Sequence, residues 1–147
     1  MNATRVDFYL LTNGEADAKL QLACRLANKI FRIGKTAYIQ TPDAAQADRL
    51  DDLLWTFDQG SFVPHYRAGS EAQPVVAPII IGHEPPPCET RQNVLISLVN
   101  EAPRHYSEFE RVADIVAADD DDKAKARSRF RFYRSMGCEL ETHDISV

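Results

Sequence analysis

The sequence predicts an α/β domain in which a mainly parallel sheet of about five or six strands, an ordinary sheet size, carries helices on both faces. Three observations predict it. Short apolar runs rich in β-branched and aromatic residues alternate along the chain with stretches whose apolar residues recur at helical spacing. Strands separated by helices call for crossover connections, which join parallel strands. The length, 147 residues with 44% hydrophobic side chains and no internal repeat, fits one core, so residues 1–147 read as a single domain.

The elements follow in order. Residues 6–11 (Val6-Asp7-Phe8-Tyr9-Leu10-Leu11) form a mostly apolar run ended by Thr12-Asn13-Gly14, a buried strand. From 15 to about 33, Leu20, Ala23, Cys24, Ala27, Ile30 and Phe31 recur at helical spacing, and Gly34 supplies the stop. Residues 36–40 are a second strand. Thr41 is placed as the cap of a second helix, with Pro42 at its first position and its end near Trp55. Residues 58–73 read as loop with an apolar island at 61–65. Residues 75–81 read as a third strand, which Pro78 restricts to an edge or to its own start. Pro85-Pro86-Pro87 is a stiff connector. Residues 93–99 and 112–116 are strands, with a short helical piece at 106–110 between them. Residues 119–136 are a helix with acids in its first turn and arginines towards its end, as the helix dipole favours. Gly137 closes it, and 139–145 form a last, half-exposed strand.

Charge and cysteine usage narrow the function. The net charge of −5, from 17 basic and 22 acidic residues, disfavours nucleic acid as the main ligand. Cys24, Cys88 and Cys138 are odd in number and lack C-x-x-C spacing, which argues against a disulfide framework or a thiolate metal site and for a reducing, cytoplasmic setting. The N-terminal apolar run is broken by Asp7 and is too short for a secretory signal, and no apolar run approaches the ~20 residues that span a bilayer. No membrane partner is expected.

Several motifs are weighed against plainer readings. Gly34-Lys35-Thr36 looks like the tail of a phosphate loop, but Lys29 stands where the first glycine is needed and the tripeptide follows a helix and opens a strand, the reverse of the required order. It reads as a helix stop with a dipole-complementing lysine. His65, His83, His105 and His143 are scattered, with no i, i+4 zinc pair, and no G-x-S-x-G elbow exists. No catalytic residue, metal or cofactor is assigned. In the second helix Ala47, Leu50, Leu54 and Phe57 form the core stripe, while Asp48, Asp51 and Asp52 share the opposite side with Trp55, the only tryptophan. Trp55 and the nearby Phe62 either anchor a partner or cover each other as a satellite cluster. Residues 123–134 hold six of the 17 basic residues and no acid. Lys123, Arg127, Arg131 and Arg134 form one stripe with Phe130 in it, beside an apolar seam of Ala126 and Tyr133. A cationic ridge edged by a ring suits a ligand ending in an apolar side chain and a carboxylate; the alternative is a solvated face paired with Asp119 to Asp122.

A resemblance then enters on Phe8-Tyr9-Leu10-Leu11, on Arg49-Leu50-Asp51-Asp52-Leu53-Leu54-Trp55, on Ser61-Phe62-Val63-Pro64-His65 with Ala68-Gly69 after it, on Val94-Leu95-Ile96-Ser97-Leu98, and on the A-R-x-R-[FY]-x-x-Y-R run from Ala126 to Arg134. Through these segments nearly the whole chain resembles the chi subunit of the bacterial DNA polymerase III holoenzyme. The resemblance implies a Rossmann-like α/β domain without nucleotide chemistry, acting as a non-catalytic bridge in DNA replication. It implies that one face, with Trp55 and Phe62 and the adjacent Val63 and Pro64, holds the psi subunit of the clamp loader. It implies that Val116, Lys123, Arg127, Phe130 and Arg131 bind the acidic, phenylalanine-ending C-terminal tail of single-stranded-DNA-binding protein, so that DNA is contacted only indirectly. A helicase-type partner competing with psi for the Trp55 face is compatible with this. Phe130 stands where the family has a tyrosine, and Asp119 to Asp122 set four carboxylates beside the ridge, where they would repel an acidic peptide.

The rival reading is a small nucleotide- or phosphate-ester-processing enzyme on the same Rossmann-like sheet. The single glycine in Leu11-Thr12-Asn13-Gly14, where a Gly-rich loop would follow the first strand, weighs against it.

Overall fold

A computed structural model describes residues 4–15, 17–56, 63–68, 77–84 and 93–146. In chain order the elements are β1 (Arg5–Leu11), α1 (Ala18–Arg32), β2 (Ala37–Gln40), α2 (Ala44–Thr56), β3 (His65–Arg67), β4 (Ile79–Gly82), β5 (Val94–Ser97), a 3-10 turn (Tyr106–Glu108), β6 (Arg111–Val116), α3 (Asp120–Ser135) and β7 (Glu139–Ile145). The strands form one sheet in the order β3-β4-β2-β5-β6-β1-β7, and every neighbouring pair is parallel.

Strand alternation assigns the two faces. Ile39, Ile79, Ile81, Val94, Ile96, Ala113 and Ile115 point to the side covered by α1 and α2, where they pack with Leu20, Ala23, Ala27, Ile30, Leu50 and Leu54. The intervening residues Val6, Phe8, Tyr38, Ile80, Leu95, Val112 and Val116 point to the other side, beneath Ala126 and Tyr133 of α3, Tyr106 of the 3-10 turn and Phe109 directly after it. Each central strand is thus buried on both sides, which is why its sequence reads as a continuous apolar run. β7 is an exposed edge, with Leu140, His143 and Ile145 half-buried and the rest exposed.

Gly34 and Gly137 end α1 and α3 in the left-handed region, at φ +79° and +81°. In both, a backbone N–H after the glycine reaches back to the last helical turn: Lys35 to the Ile30 carbonyl at 3.0 Å and Cys138 to that of Tyr133 at 3.2 Å. The GKT tripeptide is therefore a helix stop.

The structure departs from the sequence reading at three places. Residues 65–67, read as loop, form β3 and extend the sheet to seven strands by pairing with β4. The cap of α2 is Asp43, not Thr41: the Asp43 carboxylate accepts the Gln46 N–H at 2.8 Å, while Thr41 is buried and donates its hydroxyl to the Asp43 carbonyl at 2.8 Å. Helix α1 begins at Ala18 and not at residue 15, because Asp17 sits at φ 67°. Pro78 directly precedes β4, which pairs on both sides, so the proline marks the start of an inner strand. Phe57, Phe62, residues 75 and 76 and the prolines 85–87 lie outside the described residues.

Candidate functional site

Helix α3 sorts its cations by direction. Asp119 caps it, accepting the Asp122 N–H at 3.0 Å, and Ala126, Arg129 and Tyr133 face the sheet. Lys123, Arg127, Arg131 and Arg134 are exposed. Arg129 belongs to neither a ridge nor a solvated face. Its side chain is 3% exposed and forks onto Asp114 of β6 at 2.8 and 2.9 Å, with a further bond to the Asn100 carbonyl at 3.0 Å.

Between α3 and the sheet lies a cleft of about 330 Å³ lined by Phe8, Leu10, Val116, Lys123, Ala126, Arg127, Phe130 and Thr142. Its floor is apolar. Phe8 and Phe130 meet at 5.4 Å between ring centroids, tilted by 50°, and Val116 is fully buried beneath them. Lys123 and Arg127, one helical turn apart, supply the rim. Among the described residues neither forms an ion pair, so their charges are available to a ligand. Four of the five sequence-assigned tail residues thus meet around one cavity. Arg131 is exposed one turn beyond Arg127 and does not line it. Phe8, Leu10 and Thr142 were missed. Their spacing on β1 and β7 is legible as strand alternation, but only the sheet order, β6-β1-β7, places them under α3.

The acids at the start of α3 are largely committed. Asp119 is the cap. Asp121 pairs with Lys125 at 3.2 Å. Asp122 accepts the Ala117 N–H at 2.7 Å and pairs with Lys19 at 3.3 Å. Burial would raise the Asp122 pKa, but these donors outweigh it and hold the group below the usual carboxylate range. Two of the four carboxylates are thus matched by lysines, which reduces the repulsion expected for an acidic ligand.

The second site lies on α2. Leu50 and Leu54 are buried, whereas Trp55 is 55% exposed and packs on the His65 ring at 4.5 Å. Val63 is 1% exposed and belongs to the core. It shares that core cluster with Leu50 and Leu54 of α2. Pro64 is half-buried beside it. Phe62 lies outside the described residues. Asp48 and Asp51, read as part of the polar face, are bound to β3: Arg67 donates to Asp48 at 3.0 Å, and His65 lies 3.1 Å from Asp51.

A third cleft, about 360 Å³, opens at the carboxyl ends of β1 and β6. From there α1 departs to one face and α3 to the other, the switch point at which open α/β sheets bind ligands. Here the lining includes Glu15, Asp17 and Asp119, its Lys19 is tied to Asp122 and its Arg49 to Asp17. Three carboxylates give it the wrong sign for a phosphate. His–Asp pairs occur at His65–Asp51 and His143–Asp7, but among the described residues no serine or cysteine hydrogen-bonds to either imidazole, and burial pushes the Cys24 thiol up to about 12. Asp7, Glu141 and His143 bring donor atoms within 4.8 Å of one another. The Asp7 oxygens there already receive Arg5, Arg111 and His143, so the cluster is an ion-pair network. No described helix is long and apolar enough to cross a membrane.

Fold and clefts together define a Rossmann-like α/β domain with a poor phosphate crevice and an apolar, cation-rimmed groove on the opposite face from its one exposed tryptophan. A family model described as "DNA polymerase III chi subunit, HolC" matches residues 3–141. The chain is 41% identical over 142 residues to the DNA polymerase III subunit chi of Pseudomonas aeruginosa, covering 97% of each chain. It is 38% identical over 145 residues to that of Escherichia coli, covering 96% of each, and 35% identical over 143 residues to that of Haemophilus influenzae, covering 97% of this chain and 99% of the relative. The chain belongs to the DNA polymerase III chi subunit family.

Proposed function

We propose that the chain is a non-catalytic, cytoplasmic accessory subunit, working as one domain, that bridges the clamp loader to single-stranded-DNA-binding protein during replication. The psi subunit docks on the Trp55 face, with Phe62, Val63 and Pro64 as the further binding residues. The C-terminal tail of single-stranded-DNA-binding protein docks in the groove under α3. DNA is reached only through that partner, and a helicase-type partner competes with psi at the Trp55 face.

The observation that carries this reading is the groove. A chain-terminal phenylalanine presents a ring and a carboxylate within one residue's reach, and the groove offers an apolar floor of Phe8, Val116 and Phe130 beside Lys123 and Arg127. Both cations lack a partner among the described residues, so the carboxylate meets donors that are not already satisfied. The two faces lie on different helices on opposite sides of the sheet, so both partners fit at once. The three carboxylates in the switch-point cleft weigh against the enzymatic alternative.

The bridge is tested by size-exclusion chromatography of the chain with psi and with a labelled tail peptide. A ternary complex carrying both is expected. Displacement of one ligand by the other, or failure of either to bind, contradicts the reading.

A further inference from the structure

Strand β3 holds one stripe of α2. Its residues His65 and Arg67, two apart, point the same way, and they meet Asp48, Asp51 and Trp55, which stand at i, i+3 and i+7 on the helix. Arg67 Nε donates to Asp48 Oδ1 at 3.0 Å. The His65 side chain is 1% exposed, and its Nε2 lies 3.1 Å from Asp51 Oδ1, within ion-pair reach although off the line of a hydrogen bond. On the other edge of the ring, Nδ1 lies 2.7 Å from the Val63 carbonyl oxygen. A carbonyl only accepts, so Nδ1 carries a proton and donates it.

The imidazole is thus held at two edges and enclosed, and its ring centroid lies 4.5 Å from that of Trp55, the planes inclined by 55°. The indole is 55% exposed and rests on this ring. An exposed side chain at a helix end ordinarily samples several rotamers, and a partner that needs one of them must order it on binding. We infer that His65 is a positioning residue for the Trp55 anchor: fixed by the Val63 carbonyl and Asp51, it holds the indole in its outward orientation before a partner arrives. The inference rests on the reading that psi docks on the Trp55 face, and it assigns the partner side a rigid apolar pocket that takes the indole without remodelling it. It also gives the buried Val63 and the half-buried Asp51 a shared role in that face.

Trp55 is the chain's only tryptophan, so intrinsic fluorescence reads this side chain alone. The experiment compares wild type with His65→Ala, His65→Phe and Asp51→Asn by time-resolved anisotropy and acrylamide quenching of the isolated chain. Psi titrations follow, with tail-peptide affinity as the control for folding. In wild type the Trp55 anisotropy decays with the tumbling of the whole protein. His65→Ala adds a fast component, raises quenching and weakens psi by about tenfold, as for truncation at a binding hot spot, with tail affinity unchanged. His65→Phe, which keeps a ring but loses both polar ties, falls between the two. Identical anisotropy and quenching in wild type and a folded His65→Ala overturn the inference. Should His65→Ala not fold, Asp51→Asn decides by the same readouts, a loosened Trp55 supporting the inference and an unchanged one overturning it. A Trp55 loosened by His65→Ala while psi binds neither protein supports the ordering by His65 and contradicts the docking reading.

Discussion

Arg129 and Asp114 form a two-point ion pair between α3 and β6, at 2.8 and 2.9 Å, with side chains only 3% and 1% exposed. Burial pushes the Asp114 carboxyl up from its ordinary value, and the guanidinium fork opposes that shift. The third arm of Arg129 reaches the Asn100 carbonyl. One side chain therefore ties α3 to β6 and to the connection after β5, which fixes the rotation of the helix and turns Lys123 and Arg127 towards the groove.

Removing one partner leaves the other charged and buried, so Arg129→Met should cost ~3–5 kcal/mol of unfolding free energy. Urea denaturation measures this. The double variant Asp114→Asn/Arg129→Met, which leaves no buried charge, should recover part of the loss. A double variant no more stable than Arg129→Met contradicts the assignment of the cost to an uncompensated Asp114.

Trp55 is more than half exposed, so Trp55→Ala should leave the melting temperature within about 2 °C of wild type, as for a surface substitution. Its loss should weaken psi by ~2 kcal/mol or more, the scale of a binding hot spot. A large fall in melting temperature would place the indole in the core's energetics and remove the basis for a docking face.

Asp7 gives the acid response its sign. Its carboxyl is 1% exposed, and burial alone would raise its pKa. The contacts with His143, Arg111 and Arg5 outweigh burial and hold it below the usual carboxylate range. As the pH falls below about 4, the unfolded chain takes up this proton before the folded one does, and stability drops until the folded value is passed. Asp7→Asn should be less stable than wild type near neutrality and lose less stability between about pH 5 and about pH 2. Circular dichroism of denaturant titrations at each pH checks this. Equal losses would show that Asp7 does not carry the acid response.

Elements whose form follows from local pattern were legible in the sequence. The apolar runs of β1, β5 and β6 and the helical spacing of α1 and α3 are visible without knowledge of neighbours. β3 was not, because His65-Tyr66-Arg67 has no apolar alternation. It is a strand because β4 offers it an edge and because Asp48 and Asp51 meet its Arg67 and His65 side chains. The α2 cap was displaced from Thr41 to Asp43 because the buried threonine is used across the sheet end. On α3 the cationic stripe was legible from spacing, which also sets Arg129 on the apolar seam with Ala126 and Tyr133, but spacing does not show what accepts a buried guanidinium there. That partner is Asp114, which is distant in sequence and visible only as one polar residue inside an apolar strand. Groove residues on β1 and β7 depend on which strands are neighbours, a property of the whole chain.

The central claim is that the groove under α3 reads an acidic peptide through its terminal ring and carboxylate, and titration of a labelled tail peptide against wild type and Arg127→Ala, at low and high salt, tests it most directly. Arg127 lines the groove and has no ion-pair partner among the described residues, so its truncation should cost ~1.5–3 kcal/mol, the range of a hydrogen bond to a charged group, with psi binding unchanged. Wild-type affinity should also fall with salt, since peptide acids beyond the groove act over roughly a Debye length, ~8 Å at physiological ionic strength. Equal affinities of the two proteins at both salt concentrations would contradict the account and leave α3 with a solvated face.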